Sequence, residues 1–223
     1  MKKYVVAAGA LAAGLAASAS ADSVAVTFDG VGGNFGQNVS VALANGLTFA
    51  DGASSKSIWA GQLSHSIDGD AVKTFCTELN QWAGSGVYDI VEVEDAPSSG
   101  PMGQDKADAI YRLFNATGGA ADVDTNSEAA AFQAVIWEIV YDLDGGINIS
   151  GGHVSISGIS SGLFSLYKGY ATAANGDAAP SVIAFTNDDR QDQLGTRIVP
   201  LPGAAAMAGL GLGGLAARRR REA

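Results

Sequence analysis

Two hydrophobic periods succeed one another along this chain, and their order limits what it can fold into. From Val24 to Val91 apolar residues recur every second position, in the runs 24–28, 39–43, 58–63, 72–77 and 87–91. Period two marks a strand with one face buried, and the Gly and Asn clusters between the runs suit turns. The period then changes. Ala107, Ile110, Tyr111 and Phe114 stand at i, i+3, i+4 and i+7, which predicts an amphipathic helix over 104–115. A second helix is expected over 127–142, with Asn126 or Ser127 as its cap, Glu128 in its first turn and Asp144-Gly145-Gly146 as its stop. Its apolar face is Phe132, Val135, Ile136, Ile139 and Val140, with Glu138 and Asp142 opposite. Strand signals return at 153–156, 182–185 and 194–199, while 163–174 fits either helix or strand. The expected fold is α+β, a β-rich barrel or sandwich with a two-helix insertion in its middle.

The two ends are of another kind. Lys2 and Lys3 precede an apolar, Ala/Gly-rich run from Tyr4 to Ala17, and Ala19-Ser20-Ala21 offers the small residues of a cleavage site. That is the pattern of a secretory signal peptide over 1–21, removed by signal peptidase. At the other end, Val199-Pro200-Leu201-Pro202 leads into an uncharged segment, 203–217, closed by Arg218 to Arg221. The segment is shorter than the roughly 20 residues of a comfortable transmembrane helix, and the arginines would stay cytoplasmic. These features, in this order, resemble the PEP-CTERM sorting signals in their Val-Pro-Leu-Pro variant. The resemblance implies a tail over 199–223 that is read by an exosortase-type membrane protease. It also implies export to the cell surface or matrix, with transient anchoring in the inner membrane.

The remaining body, 22–198, is one domain's worth of chain. It keeps seven basic and 22 acidic residues, a formal charge of −15. Such a surface makes nucleic acid an unsuitable partner. Among possible metal sites, Asp122-x-Asp124-x-Asn126 begins like a calcium loop. It then places Ser127 and Gln133 where an EF-hand needs Gly and Glu. Two isolated histidines, His65 and His153, and one cysteine make no zinc set. No metal and no cofactor is expected. The run Gly158 to Gly162 has the spacing of a nucleophile elbow, but both histidines precede it, so it reads as a Gly/Ser turn.

Two residues remain as candidates for chemistry. Cys76 is the one cysteine of an exported chain and has no internal disulfide partner. It is either a small buried hydrophobe or a reactive thiol. Gln133 falls on the apolar side of the second helix, where a primary amide costs free energy unless it is paired. The simplest partner is a nearby backbone group.

The strand Phe75-Cys76-Thr77-Glu78 and the helix segment Phe132-Gln133-Ala134-Val135-Ile136-Trp137 together resemble the Cys-Gln thioester domains of bacterial surface proteins. The likeness spans about residues 55–198. It implies that the Cys76 sulfur and the Gln133 side chain join as an internal thioester, sheltered by Phe75, Phe132 and Trp137. It further implies single-use attachment rather than turnover, with a surface or matrix amine or hydroxyl as the partner. The chain departs from the family in placing Thr77 and Glu78 after the cysteine, where an aliphatic residue is common. Other readings are a structural exopolysaccharide or biofilm matrix protein of the same fold without the bond, a secreted hydrolase, for which no catalytic set is visible, and a sugar-binding module using Trp59 and Trp82.

Overall fold

The computed structural model describes residues 23–67, 69–119 and 122–196. The expected signal peptide, 1–21, and the sorting tail, 199–223, lie outside the described residues. Within them the alternating segments form strands β1 (Ser23–Gly30), β2 (Gly36–Leu43), β3 (Ser55–Gly61), β4 (Leu63–Ile67), β5 (Asp70–Cys76) and β6 (Gly86–Val91). Helices α1 (Gln104–Ala116) and α2 (Asn126–Asp142) follow, then β7 (Val154–Ser157), α3 (Ser161–Ala171), β8 (Val182–Asn187) and β9 (Arg190–Thr196). The fold is α+β, as the two periods imply.

Six strands close an antiparallel barrel in the order β1-β4-β5-β9-β8-β6, and β3-β2-β7 form a second sheet. Closure removes the exposed sheet edges that would otherwise pair with another chain. One small cluster, Val24, Val26, Ile67, Tyr88, Ile183 and Phe185, comes from the barrel strands alone. The larger core joins the barrel face carrying Phe75, Ala184 and Leu194 to the three helices and the second sheet.

Helix α2 runs through the middle of that larger core. Of its 17 residues, 13 are buried, so it has no solvent face. This corrects the sequence expectation that Glu138 and Asp142 stand on a free side, since both are buried as well. They serve the chain that returns to the sheet. Glu138 Oε2 accepts the Asn148 N–H at 2.8 Å, and Asp142 accepts those of His153 and Val154 at 2.7 and 3.0 Å. A helix that is apolar all round is a buried one, and acids within it persist only where donors meet them.

The cap of α2 also differs from expectation. Thr125 is the N-cap: its Oγ1 accepts the Glu128 N–H at 3.2 Å and donates to Glu128 Oε2 at 2.8 Å. Asn126 instead accepts the Gly36 N–H at 3.2 Å and ties the start of the helix to β2. The ambiguous 163–174 segment lies mostly in α3, capped by Ser160, with Phe164, Tyr167 and Ala171 on its buried side. The Gly158–Gly162 run is thus the entry to a helix. The last strand begins at Arg190, four residues before the expected position, because its polar residues are buried rather than solvated.

Candidate functional site

Cys76 is the last residue of β5, and its position follows from a mismatch in strand length. Strand β4 pairs with β5 from Ile67↔Asp70 to Leu63↔Thr74 and stops there. On its other side β5 continues against β9, with Cys76 opposite Gln193. Cys76 therefore has backbone groups beyond the end of β4, and buried backbone groups must be paired. Gln133 of α2 pairs them. Its Oε1 accepts the Cys76 N–H at 2.9 Å, and its Nε2 donates to the Cys76 C=O at 2.8 Å. One carboxamide thus does the work of the missing strand. Gln133 is wholly buried, so the pair of bonds is shielded from water.

The sulfur has its own partner. Cys76 Sγ donates to Gln191 Oε1 at 2.9 Å, while Gln191 Nε2 donates to the Glu78 C=O at 2.6 Å. The second bond fixes which end of the Gln191 amide faces the thiol. Behind Gln191 a chain of buried side chains continues across the barrel. Gln193 Nε2 donates to the Gln191 C=O at 3.0 Å, and Thr74 Oγ1 donates to Gln193 Oε1 at 3.1 Å. Thr74 has one hydroxyl proton, already given to Gln193, so it accepts from His65 Nδ1, 2.9 Å away. His65 is thereby set as the Nδ1–H tautomer. Burial pushes its pKa down to about 4, so it is neutral at neutral pH.

Carboxyl groups stand next to this chain. Glu78 accepts from the Asp192 N–H at 3.0 Å and from Ser99 Oγ at 3.1 Å. Asp192 accepts the N–H groups of Ser98 and Asn187 at 2.5 and 2.6 Å. Burial raises the pKa of Glu78, and raises that of Asp192 to about 7. Burial also pushes the Cys76 thiol up to about 12. At neutral pH the sulfur is a protonated thiol rather than a thiolate, the reverse of a turnover-type catalytic cysteine.

An aromatic cluster packs between β5 and helices α1 and α2. Phe75 and Phe132 pack at a centroid distance of 4.7 Å, and Phe114 meets Phe132 edge-on at 5.0 Å. Trp137, one turn along α2 from Gln133, is 1 % exposed, and its Nε1 has no hydrogen-bond partner among the described residues. Trp137 also lines a pocket of about 380 Å³ whose wall includes Cys76 and Gln191. Phe28, Trp59, Leu79, Trp82 and Lys56 also line it.

Of the five residues singled out from the sequence, Cys76 and Gln133 are in hydrogen-bond contact, Phe75 and Phe132 pack on each other beside them in sequence, and Trp137 shares a pocket wall with Cys76. Gln191, Gln193, Thr74 and His65 were missed. Gln191 and Gln193 precede the strand expected at 194–199, so the sequence pattern assigned them no face, whereas β9 begins at Arg190. The available signal was their i, i+2 spacing, which places both on one face of a strand. No family model, curated protein or solved structure matches this chain.

Proposed function

We propose that this is an exported surface-attachment protein that acts once, through a thioester between Cys76 Sγ and Gln133 Cδ. The observation that carries the reading is the double hydrogen bond between the Gln133 carboxamide and the Cys76 backbone. It brings the Gln133 carboxamide against the backbone of the residue that carries the thiol, whose sulfur itself donates to Gln191 Oε1 at 2.9 Å, and a neighbour held in this way can replace several kcal/mol of activation. In the condensation Sγ bonds to Cδ and the Cδ–Nε2 bond breaks. The thiol proton leaves with the nitrogen as ammonia. The Cys76 N–H already lies 2.9 Å from Gln133 Oε1, within the range for stabilising an oxyanion on that oxygen.

The raised thiol pKa makes this step slow, which a reaction performed once per molecule tolerates. The same burial then protects the product from water. An incoming amine or hydroxyl adds to Cδ, the C–S bond breaks, the nucleophile's proton passes to sulfur, and the target remains joined to the Gln133 carbonyl. In this reading the N-terminal 21 residues direct export. The tail at 199–223 is processed by an exosortase-type protease after transient anchoring, which leaves the domain at the cell surface or in the matrix.

A second reading is a structural matrix protein in which the same pair is only packed. It is favoured by the complete pairing of the polar groups: Gln133 is satisfied by the Cys76 backbone, and the thiol by Gln191. Intact mass separates the two. Folded protein one ammonia lighter than its sequence supports the thioester. Full sequence mass with one titratable thiol supports the packed pair.

A further inference from the structure

The proposed thioester leaves open which nucleophile reaches it, and the pocket beside Cys76 bears on that choice. Its lining holds four aromatic residues, Phe28, Trp59, Trp82 and Trp137, together with Ile58, Leu63 and Leu79. The residues lining it include one cation, Lys56, and no carboxylate. Its volume of about 380 Å³ falls within the range of about 300–1,000 Å³ usual for small-molecule sites.

An alkylamine enters such a pocket at a disadvantage. At neutral pH it is an ammonium, and burying it without a carboxylate partner is costly. Aromatic faces can hold a cation, but Lys56 Nζ already lies 5.1 Å from the centroid of the Trp82 ring. The same Lys56 is ion-paired to Asp51, so the neighbouring acid is engaged too. A second cation would meet Lys56 as a like charge. The body's excess of acids draws amines to the surface in general but does not line this wall.

A sugar hydroxyl meets none of these costs. A pyranose has an apolar C–H face that packs on aromatic rings and a polar rim that hydrogen-bonds. Trp82 is 43 % exposed and is backed by the buried Phe49, with the planes 3° apart. Ser57 and Lys56 supply polar groups beside it. The unpaired Trp137 Nε1 offers a buried donor on the same lining.

We propose that this pocket seats a saccharide residue and presents one of its hydroxyls to the Cys76–Gln133 bond, so that the attachment formed is an ester to a glycan. The inference rests on the thioester reading for its covalent step, while the seat itself is testable without it. In that step the sugar hydroxyl oxygen bonds to Gln133 Cδ, the C–S bond breaks, and the hydroxyl proton goes to sulfur.

The test has two arms on the full folded chain. In the first, maltotetraose and cellotetraose are titrated against the Cys76→Ala variant while tryptophan fluorescence is followed. Saturable quenching by either sugar is expected, with affinity weakened about tenfold by Trp59→Ala, equivalent to about 1.4 kcal/mol. In the second, the native chain is incubated with each sugar, with glycerol at equal hydroxyl concentration and with methylamine, and adducts are read by intact mass. The sugar adduct is expected to form faster than the glycerol adduct, and Trp59→Ala is expected to lower the sugar-to-methylamine rate ratio about tenfold. No saturable quenching overturns the seat. Sugar adducts no faster than glycerol adducts, or an unchanged ratio in the variant, overturn the hydroxyl choice while leaving the thioester intact. A chain that lacks the thioester but quenches saturably refutes the covalent step and keeps the seat.

Discussion

Gln133 holds the backbone of Cys76 at both ends, taking its N–H on Oε1 at 2.9 Å and giving Nε2–H to its carbonyl at 2.8 Å. A side chain from the central helix thereby completes a strand whose neighbour, β4, has stopped short. The relationship belongs to the chain before condensation, since loss of Nε2 as ammonia removes the bond to the Cys76 carbonyl, and in that state it makes the two partners unequal under mutation.

Compared with the uncondensed chain, Gln133→Ala leaves two buried backbone groups of Cys76 unpaired as well as opening a cavity. A loss of about 2–5 kcal/mol is expected, measured by urea denaturation. Cys76→Ala removes only the sulfur and its one bond to Gln191, and should cost about 1–2 kcal/mol. Equal losses in the two variants would contradict this account of the double bond.

Gln191 is expected to act as a positioning residue. Its side-chain amide is oriented by the Glu78 carbonyl, its backbone carbonyl accepts from Gln193 Nε2, and its Oε1 accepts from the Cys76 thiol. Gln191→Leu should slow ammonia loss during refolding by on the order of tenfold, about 1.4 kcal/mol in barrier. Gln191→Glu keeps the acceptor but turns the Nε2 donor into an oxygen facing the Glu78 carbonyl, and should restore less than full rate. A structural role alone would shift stability in Gln191→Leu without changing the rate of ammonia loss in molecules that have refolded.

Stability should rise on mild acidification. The buried carboxyls of Asp192 and Glu138 both have folded pKa values near 7, above their ordinary values of 3.8 and 4.5, and that of Glu78 is also raised. A raised carboxyl binds its proton more tightly when folded, so its contribution is present at low pH and is lost as pH rises through about 7. His65 acts the other way, since its folded value near 4 lies below 6.5, and it lowers stability as pH falls through that window. Asp192 and Glu138 together outweigh one histidine between pH 7.5 and 5.5, and a rise in Tm on the order of 5 °C is expected. Asp192→Asn should flatten the profile on that side; a Tm that falls across the same range would refute the assignment.

Much of the fold was legible in the sequence because a change of period is a direct reading of burial. The runs around Val24, Val39 and Val72 became strands, and the Ala107–Phe114 spacing became α1. What misled was polarity at buried positions. Glu138 and Asp142 look like a solvent face of α2, yet they are buried because the loop from Asn148 to Val154 brings them backbone donors. That loop's path is set by long-range packing, which local pattern does not encode. Gln191 and Gln193 were hidden because they precede the strand expected at 194–199, and because strand period says which residues share a face but not whether the face lies inside a closed barrel. The contact of Cys76 with Gln133 was reached from the sequence by resemblance, while the reason for it, the early end of β4, became visible only with the strand register.

Gly61 tests that local architecture. It lies opposite Gly36 in the β2–β3 pair, at φ +143°, and a Cβ there would stand 2.5 Å from the Gly36 Cα. That atom and the Phe35 carbonyl oxygen, also 2.5 Å away, are both backbone, so neither can yield by changing rotamer. Gly61→Ala should destabilise by about 2–4 kcal/mol and displace the neighbouring Trp59 wall of the pocket. Thermal denaturation checks the first effect and tryptophan fluorescence the second.

The central claim is that Cys76 and Gln133 react with each other, and intact-mass spectrometry of freshly folded protein before and after methylamine tests it most directly. The account expects a starting mass one ammonia below that of the processed sequence. Methylamine should then add once, at Gln133, and release one thiol, with both effects absent in Cys76→Ala and in amine-treated unfolded controls. Full sequence mass, a free thiol and no adduct in well-folded protein would contradict it, and the packed-pair reading would take its place.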